Sequence, residues 1–224
     1  MRQLLLDLVP DTPPTLDNFV PGGNGTALAA LTAWLGDRQL SFHLWGETGS
    51  GKTHLLRASG LCYGDARQDP DLANLPGDAP GLAVDNGEAL SEAGQVALFN
   101  HFNRLRLAGE NGHRAKLLVA SDQPPAALAL REDLRTRLGS ALIFRLLPLS
   151  DEEKLAALGA QAAARKLKLG RDALTYLLSR SARDMGSLSA LLVALDRYSL
   201  EQQRPITLPL LREVLQHEGG LENR

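Results

Sequence analysis

Gly46-Glu47-Thr48-Gly49-Ser50-Gly51-Lys52-Thr53 reads G-x-x-x-x-G-K-T and follows directly on the apolar run Leu40 to Trp45. Each residue type in that string has a use. The glycines let successive backbone N–H groups curl around a phosphate, with Thr48 and Ser50 inside the same loop. Lys52 reaches the outer phosphates, and Thr53 offers its hydroxyl to Mg²⁺. Thr53 to Ala58 reads as a helix, whose amino terminus brings partial positive charge to the same point. The alternative is a glycine-rich turn with an unconnected lysine, and the placement between an apolar run and a helix argues against it. The loop implies binding of a nucleoside di- or triphosphate.

A second set of residues fits the same chemistry. Leu82-Ala83-Val84-Asp85 is an apolar strand ending in a carboxylate, placed to hold Mg²⁺ through water beside the phosphate loop. The next residue is Asn86, whose amide cannot accept a proton from attacking water as a carboxylate does, so intrinsic hydrolysis is expected to be slow. Glu88 lies close by but beyond a glycine, and is not expected to substitute. Ser121-Asp122 ends another strand, where Asp122 can sense a γ-phosphate or simply close an Asx-type turn before Pro124-Pro125. Arg137 precedes the last strand. Arg183 opens a helix, a position where its charge opposes the dipole and calls for an anionic partner; for both arginines the alternative is a solvated face.

These residues need a scaffold, and the apolar pattern supplies one. Short, nearly continuous apolar runs at Ser41–Trp45, Leu61–Gly64, Leu82–Asp85, Lys116–Ser121 and Ala141–Leu146 read as strands covered on both faces. Helical spacing lies between them, at Ala27–Leu35, Thr53–Ala58 and Gln95–Ala108. Alternation of this kind predicts an α/β fold with a parallel sheet between helices. Asp65 to Pro80 is acidic and holds glycine and proline, so it reads as a surface loop. From Ser150 the pattern turns wholly helical, opening with the capping box Ser150-Asp151-Glu152-Glu153. Helical stretches follow around Leu155–Ala162, Leu174–Leu178, Leu188–Tyr198 and Leu210–Leu215. The expected organisation is an extended arm over 1–14, a nucleotide-binding core over 15–149 and a small helical domain over 150–224.

Composition narrows the class. The 224 residues carry 24 Lys and Arg against 26 Asp and Glu, a net charge of −2, so no overall field recruits nucleic acid or an anionic membrane. Cys62 is the single cysteine, which excludes an internal disulfide and suits a reducing cytosol. No apolar run approaches a membrane span and no signal-peptide core is present, so a cytoplasmic protein is expected. Aromatic residues make up 4% of the chain, too few to suggest a stacking surface for single strands.

Taken together these segments resemble the AAA+ ATPase domain of the bacterial replication initiator DnaA. Thr15-Leu16-Asp17-Asn18-Phe19-Val20 is similar to the T-F-D-N-F-V segment that begins that domain and flanks the adenine, which implies nucleotide contacts for Asn18 and Phe19. Ser121-Asp122-Gln123-Pro124-Pro125 resembles the sensor-1 segment, Thr136-Arg137-Leu138 the segment that presents the arginine finger, and Arg183 falls at the sensor-2 arginine. DnaA continues into a helix-turn-helix domain, whereas this chain stops after the helical lid. At its start, Gln3-Leu4-Leu5-Leu6-Asp7-Leu8 fits Q-L-x-L-x-L, similar to peptides that dock in the cleft of the DNA polymerase sliding clamp (beta subunit). An apolar arm folding back on its own domain is the alternative for that segment.

An initiator-like AAA+ core with a terminal clamp peptide resembles the Hda-type regulatory inactivators of DnaA, and Asp85-Asn86 matches them better than the paired acids of DnaA do. The resemblance implies a regulator of replication initiation that binds ADP or ATP with Mg²⁺ and docks on the clamp through Gln3, Leu4, Leu6 and Leu8. It further implies that Arg137 is presented in trans to stimulate ATP hydrolysis by DnaA, with DNA reached through the clamp. The rival is an autonomous AAA+ ATPase of the helicase-loader type acting on single-stranded DNA. Asn86, the acidic balance and the scarcity of aromatics argue against it.

Overall fold

The computed structural model describes residues 13–111, 115–167, 169–180, 185–202, 206 and 211. They fall into two compact units, the first spanning Pro13–Pro148 and the second beginning at Leu149. The first unit is built on a five-stranded sheet of β1 (Ser41–Trp45), β2 (Cys62–Asp65), β3 (Gly81–Asp85), β4 (Lys116–Ser121) and β5 (Leu142–Arg145), in the spatial order β2-β3-β4-β1-β5. Every pairing is parallel. The α/β expectation therefore holds, and the strands sit within one residue of their expected bounds at every end.

Strands β1, β3 and β4 are buried almost throughout, as a sheet covered on both faces requires. One face packs with α1 (Gly25–Gly36) and α2 (Lys52–Ala58) around Leu31, Trp34, Phe42, Leu55 and Leu118. The other packs with α3 (Glu92–Glu110) and α4 (Glu132–Gly139) around Leu82, Leu98, Leu105, Leu117 and Leu134. The chain leaves β1 toward the β2 edge, returns through β3 and β4, and then crosses to β5 on the far side of β1. That reversal opens a crevice at the carboxyl ends of β1 and β4, where open α/β sheets place their ligands. Beyond β5, Leu147 is tied to Asn24 by two hydrogen bonds of 2.8 Å, Asn24 Nδ2 to its carbonyl and its N–H to Asn24 Oδ1.

The segment Asp65 to Pro80 is a surface loop as expected, mostly exposed, but Ala66, Leu72 and Ala79 anchor it in the core, and Asp69 accepts N–H groups from Ala73 and Asn74 to hold the turn that presents them. Its composition is polar because it folds on its own side chains, while its few apolar residues do the packing. Helix α4 was not expected, since eight residues with only Leu134 and Leu138 pointing inward give little periodicity to read.

The second unit holds α5 (Asp151–Ala164), α6 (Arg171–Arg180) and α7 (Met185–Gln202) among the described residues. Helix α5 packs against both others, with Leu158, Leu177, Leu188, Leu192 and Leu195 inside. The capping box is formed in full: Ser150 Oγ accepts from Glu153 N at 3.2 Å, and Ser150 N donates to Glu153 Oε2 at 2.8 Å. No helix of the described residues is long and apolar enough to cross a membrane. Of the expected helix over Leu210–Leu215 only Leu211 is described, helical and buried; residues 1–12 of the expected arm over 1–14, and Arg183, lie outside the described residues.

Candidate nucleotide-binding site

The loop after β1 has a backbone that side chains would forbid. Gly46 sits at φ +155°, where a Cβ would stand 2.2 Å from the carbonyl oxygen of Leu146, and Gly51 at φ +94°, where it would stand 2.6 Å from the ring of Phe19. The ring of Phe19 lies 5.4 Å from that of His54, and His54 Nε2 meets the Thr15 carbonyl at 2.9 Å. The 15–19 segment is thereby fastened to the outside of the loop and the first turn of α2. Asn18 spends its side chain within that segment, Oδ1 accepting from Thr15 N at 2.9 Å and Nδ2 donating to the Pro13 carbonyl at 3.0 Å.

Lys52 opens α2, and its ammonium donates to the carbonyls of Gly46 at 2.5 Å and Glu47 at 2.9 Å. Partial burial holds it below the usual lysine range, against the pull of Asp85, Glu88 and Asp122, while Arg67 pushes the same way as burial. Thr53 Oγ1 donates to Asp85 Oδ2 at 2.5 Å. Asp85 is 1% exposed and collects two more donors, Tyr63 OH on Oδ2 at 3.1 Å and Asn86 N on Oδ1 at 2.9 Å. Burial, and then the charge of Asp85, pushes the Tyr63 phenol up to about 12.

Asn86 adopts the left-handed conformation, φ 54° and ψ 46°, which asparagine tolerates better than most residues. Its Nδ2 donates to Asp65 Oδ1 at 2.7 Å, so the amide is committed to the end of β2. Glu88, on a short 3-10 turn over Gly87–Ala89, reaches the tip of β4: Oε2 accepts from Asp122 N at 3.2 Å, and Oε1 pairs with Arg67 at 3.0 Å. Ser121 Oγ donates to the Gln123 carbonyl at 2.6 Å and meets His43 Nε2 at 2.7 Å. With the hydroxyl proton committed, His43 must donate through Nε2. Its imidazole is fully buried, and burial brings it down to about 4.

The donor set suits a polyphosphate with a divalent cation. Left-handed glycines, a helix amino terminus and a desolvated ammonium converge on one loop, the buried Ser50 Oγ has no hydrogen-bond partner among the described residues, and Thr53 and Asp85 supply hard oxygens. Gly46, Gly49, Ser50, Gly51, Lys52, Thr53 and Asp85 are thus brought together by β1, α2 and β3, and Asp122 stands at the neighbouring tip of β4. Arg137 is elsewhere, exposed in the last turn of α4 with its guanidinium 5.7 Å from the centre of the Phe102 ring. Gln3, Leu4, Leu6, Leu8 and Arg183 lie outside the described residues. Sequence reasoning missed Tyr63 and the Glu88–Arg67 pair. An aromatic residue near the end of β2 was the available signal for the first.

Residues 151–215 match the family described as Hda, lid domain. Among solved structures, the chain is similar to domain III of the Thermotoga maritima replication initiation protein DnaA, with 21% identity, a TM-score of 0.68, and coverage of 92% of this chain and 98% of that one. It is also similar to AMPPCP-bound DnaA from Aquifex aeolicus, with 22% identity and a TM-score of 0.62 over 85% of this chain and 69% of that one. Thermotoga maritima RuvB is matched at 18% identity and a TM-score of 0.62, over 91% of this chain and 72% of that one. At these identities the structural likenesses establish the fold.

Proposed function

We infer that this chain, in which an Hda-type lid follows an AAA+ core of the DnaA kind, is a regulator of replication initiation that binds an adenine nucleotide and acts on DnaA. The observation that carries the reading is the phosphate loop joined to Asp85 while Asn86 is turned away to Asp65, a site equipped to hold a nucleotide and poorly equipped to hydrolyse it. ADP or ATP would be cradled by the N–H groups of Gly49, Ser50 and Gly51, with Lys52 neutralising the outer phosphates. Thr53 and Asp85 would hold Mg²⁺, whose chemistry is to screen the phosphate charge. That one of the similar structures carries AMPPCP supports the nucleotide.

The arm over 1–14 would place Gln3, Leu4, Leu6 and Leu8 on the sliding clamp, bringing the protein to newly replicated DNA in the cytoplasm. Arg137 would then reach ATP held by DnaA and neutralise the charge that develops as the γ-phosphoryl group leaves. Its exposed position, on a different helix from the phosphate loop, supports action on a partner's nucleotide. Arg183, at the sensor-2 position, would contact the protein's own nucleotide.

The test is ATP hydrolysis by DnaA with clamp loaded on DNA. Wild-type protein is expected to stimulate it, and Arg137→Ala to return the rate to that of DnaA alone while keeping its own nucleotide. Stimulation that survives Arg137→Ala would show the finger to be misassigned. One observation favours the rival reading of an autonomous ATPase acting on single-stranded DNA: Glu88 brings a carboxylate to the tip of β4. DNA-stimulated turnover by the protein alone would support it.

A further inference from the structure

Asp85 is the carboxylate on which the divalent cation would depend, and its acceptor capacity can be counted. A carboxylate offers about four lone pairs. Thr53 Oγ1 and Tyr63 OH occupy both of those on Oδ2, at 2.5 and 3.1 Å, and Asn86 N takes one on Oδ1 at 2.9 Å. No other donor among the described residues takes the remaining lone pair on Oδ1, which would be available to a metal-bound water. The three donors differ in what they are attached to. Thr53 belongs to the phosphate loop and its helix, and Asn86 N follows Asp85 in the chain. Tyr63 alone ties the carboxylate across to the neighbouring strand.

The register explains why a tyrosine is needed. Tyr63 on β2 pairs with Ala83 on β3, so Asp85 is its diagonal neighbour on the same face. Most side chains are too short for that diagonal, whereas a phenol spans it and ends in a donor. The Arg57 guanidinium, 4.9 Å from the ring centre, packs the tyrosine from α2.

We propose that Tyr63 is a positioning residue for Asp85, fixing the carboxylate that would hold the divalent cation accompanying the nucleotide. The proposal rests on the nucleotide reading of the site. It assigns Tyr63 no contact with the phosphates, so its effect belongs to the metal-dependent part of binding.

The experiment is equilibrium binding of a fluorescent ADP to the full chain, first in EDTA and then titrated with Mg²⁺, for wild type and Tyr63→Phe. Phenylalanine keeps the ring beside Arg57 and removes the hydroxyl, which donates to Asp85 and also meets the Arg57 side chain. The expected result is an affinity in EDTA unchanged within about twofold, with the Mg²⁺ concentration at half-effect raised about tenfold, as for other outer-shell partners of a metal ligand. A wild-type Mg²⁺ titration in the variant would overturn the proposal, as would an equal loss of affinity with and without Mg²⁺, which would mark the hydroxyl as packing only. Absence of binding by wild type would overturn the nucleotide reading itself, a result distinct from either.

Discussion

Lys52 and Lys116 stand at opposite ends of one sheet, and the protein treats their charges in opposite ways. Lys116 begins β4 and is 5% exposed, with its ammonium donating to the carbonyls of Trp34, Asp37 and Gln39 at 2.6, 2.8 and 3.0 Å. Those carbonyls lie at and just beyond the last turn of α1, the negative end of its dipole, and the Trp34 ring centre is 4.6 Å from the same nitrogen. Lys52 begins α2, at the positive end of a dipole, and burial opposes its charge. All three donors of Lys116 are taken by carbonyls at the end of a helix, so its charge holds the fold together. Lys52 gives two donors to carbonyls of the phosphate loop itself and stands at a helix amino terminus, which places it for an anion.

Replacing Lys116 should produce the largest effect. Lys116→Met leaves three carbonyls at the end of α1 without their donor, at about 1–3 kcal/mol for each acceptor that water cannot reach. With partial resolvation the loss of stability is expected to be about 4 kcal/mol, read from urea denaturation, with nucleotide affinity of the folded protein unchanged. An unchanged urea midpoint would show that Lys116 does not hold the end of α1.

His43 stands in the middle of the same sheet. This basic group is fully buried with one hydroxyl for a partner and stays neutral, its pKa lowered from 6.5 to about 4. The unfolded chain takes up a proton near pH 6.5 and the folded one refuses it until about pH 4. Stability from this group is therefore complete above pH 6.5 and declines through that window, by about 3 kcal/mol in all. His43→Gln should flatten that limb of the stability–pH curve. A limb of the same depth in the variant would assign the pH dependence to other groups.

The sequence was most legible where chemistry is local. The phosphate loop needs its glycines, lysine and threonine at fixed spacing, and Asp85 announces itself by ending an apolar strand. Ser150 and Glu153 find each other three residues apart, and the structure forms both hydrogen bonds. What could not be read depends on which strand tips become neighbours. Tyr63 reaches Asp85, and Glu88 reaches Asp122, only because the sheet runs β2-β3-β4-β1-β5. Nothing in a run of apolar residues states that order. Lys116 was hidden for the same reason, since its acceptors on and beyond α1 are some 80 positions away in the chain. The composition of the 65–80 segment records what faces water and so reads as a surface loop, but it does not say that Leu72 and Ala79 decide where it packs.

If the charge of Lys52 is held for a phosphate, equilibrium binding of fluorescent ADP and ATP, with Mg²⁺, must separate wild type from Lys52→Ala. The expected affinity of the variant is lower by about 100-fold, the loss of one or two charge-assisted hydrogen bonds, with only a small fall in the urea midpoint, since the Gly46 and Glu47 carbonyls that lose their donor are at most part-buried. Wild-type affinity in Lys52→Ala would contradict that role for Lys52.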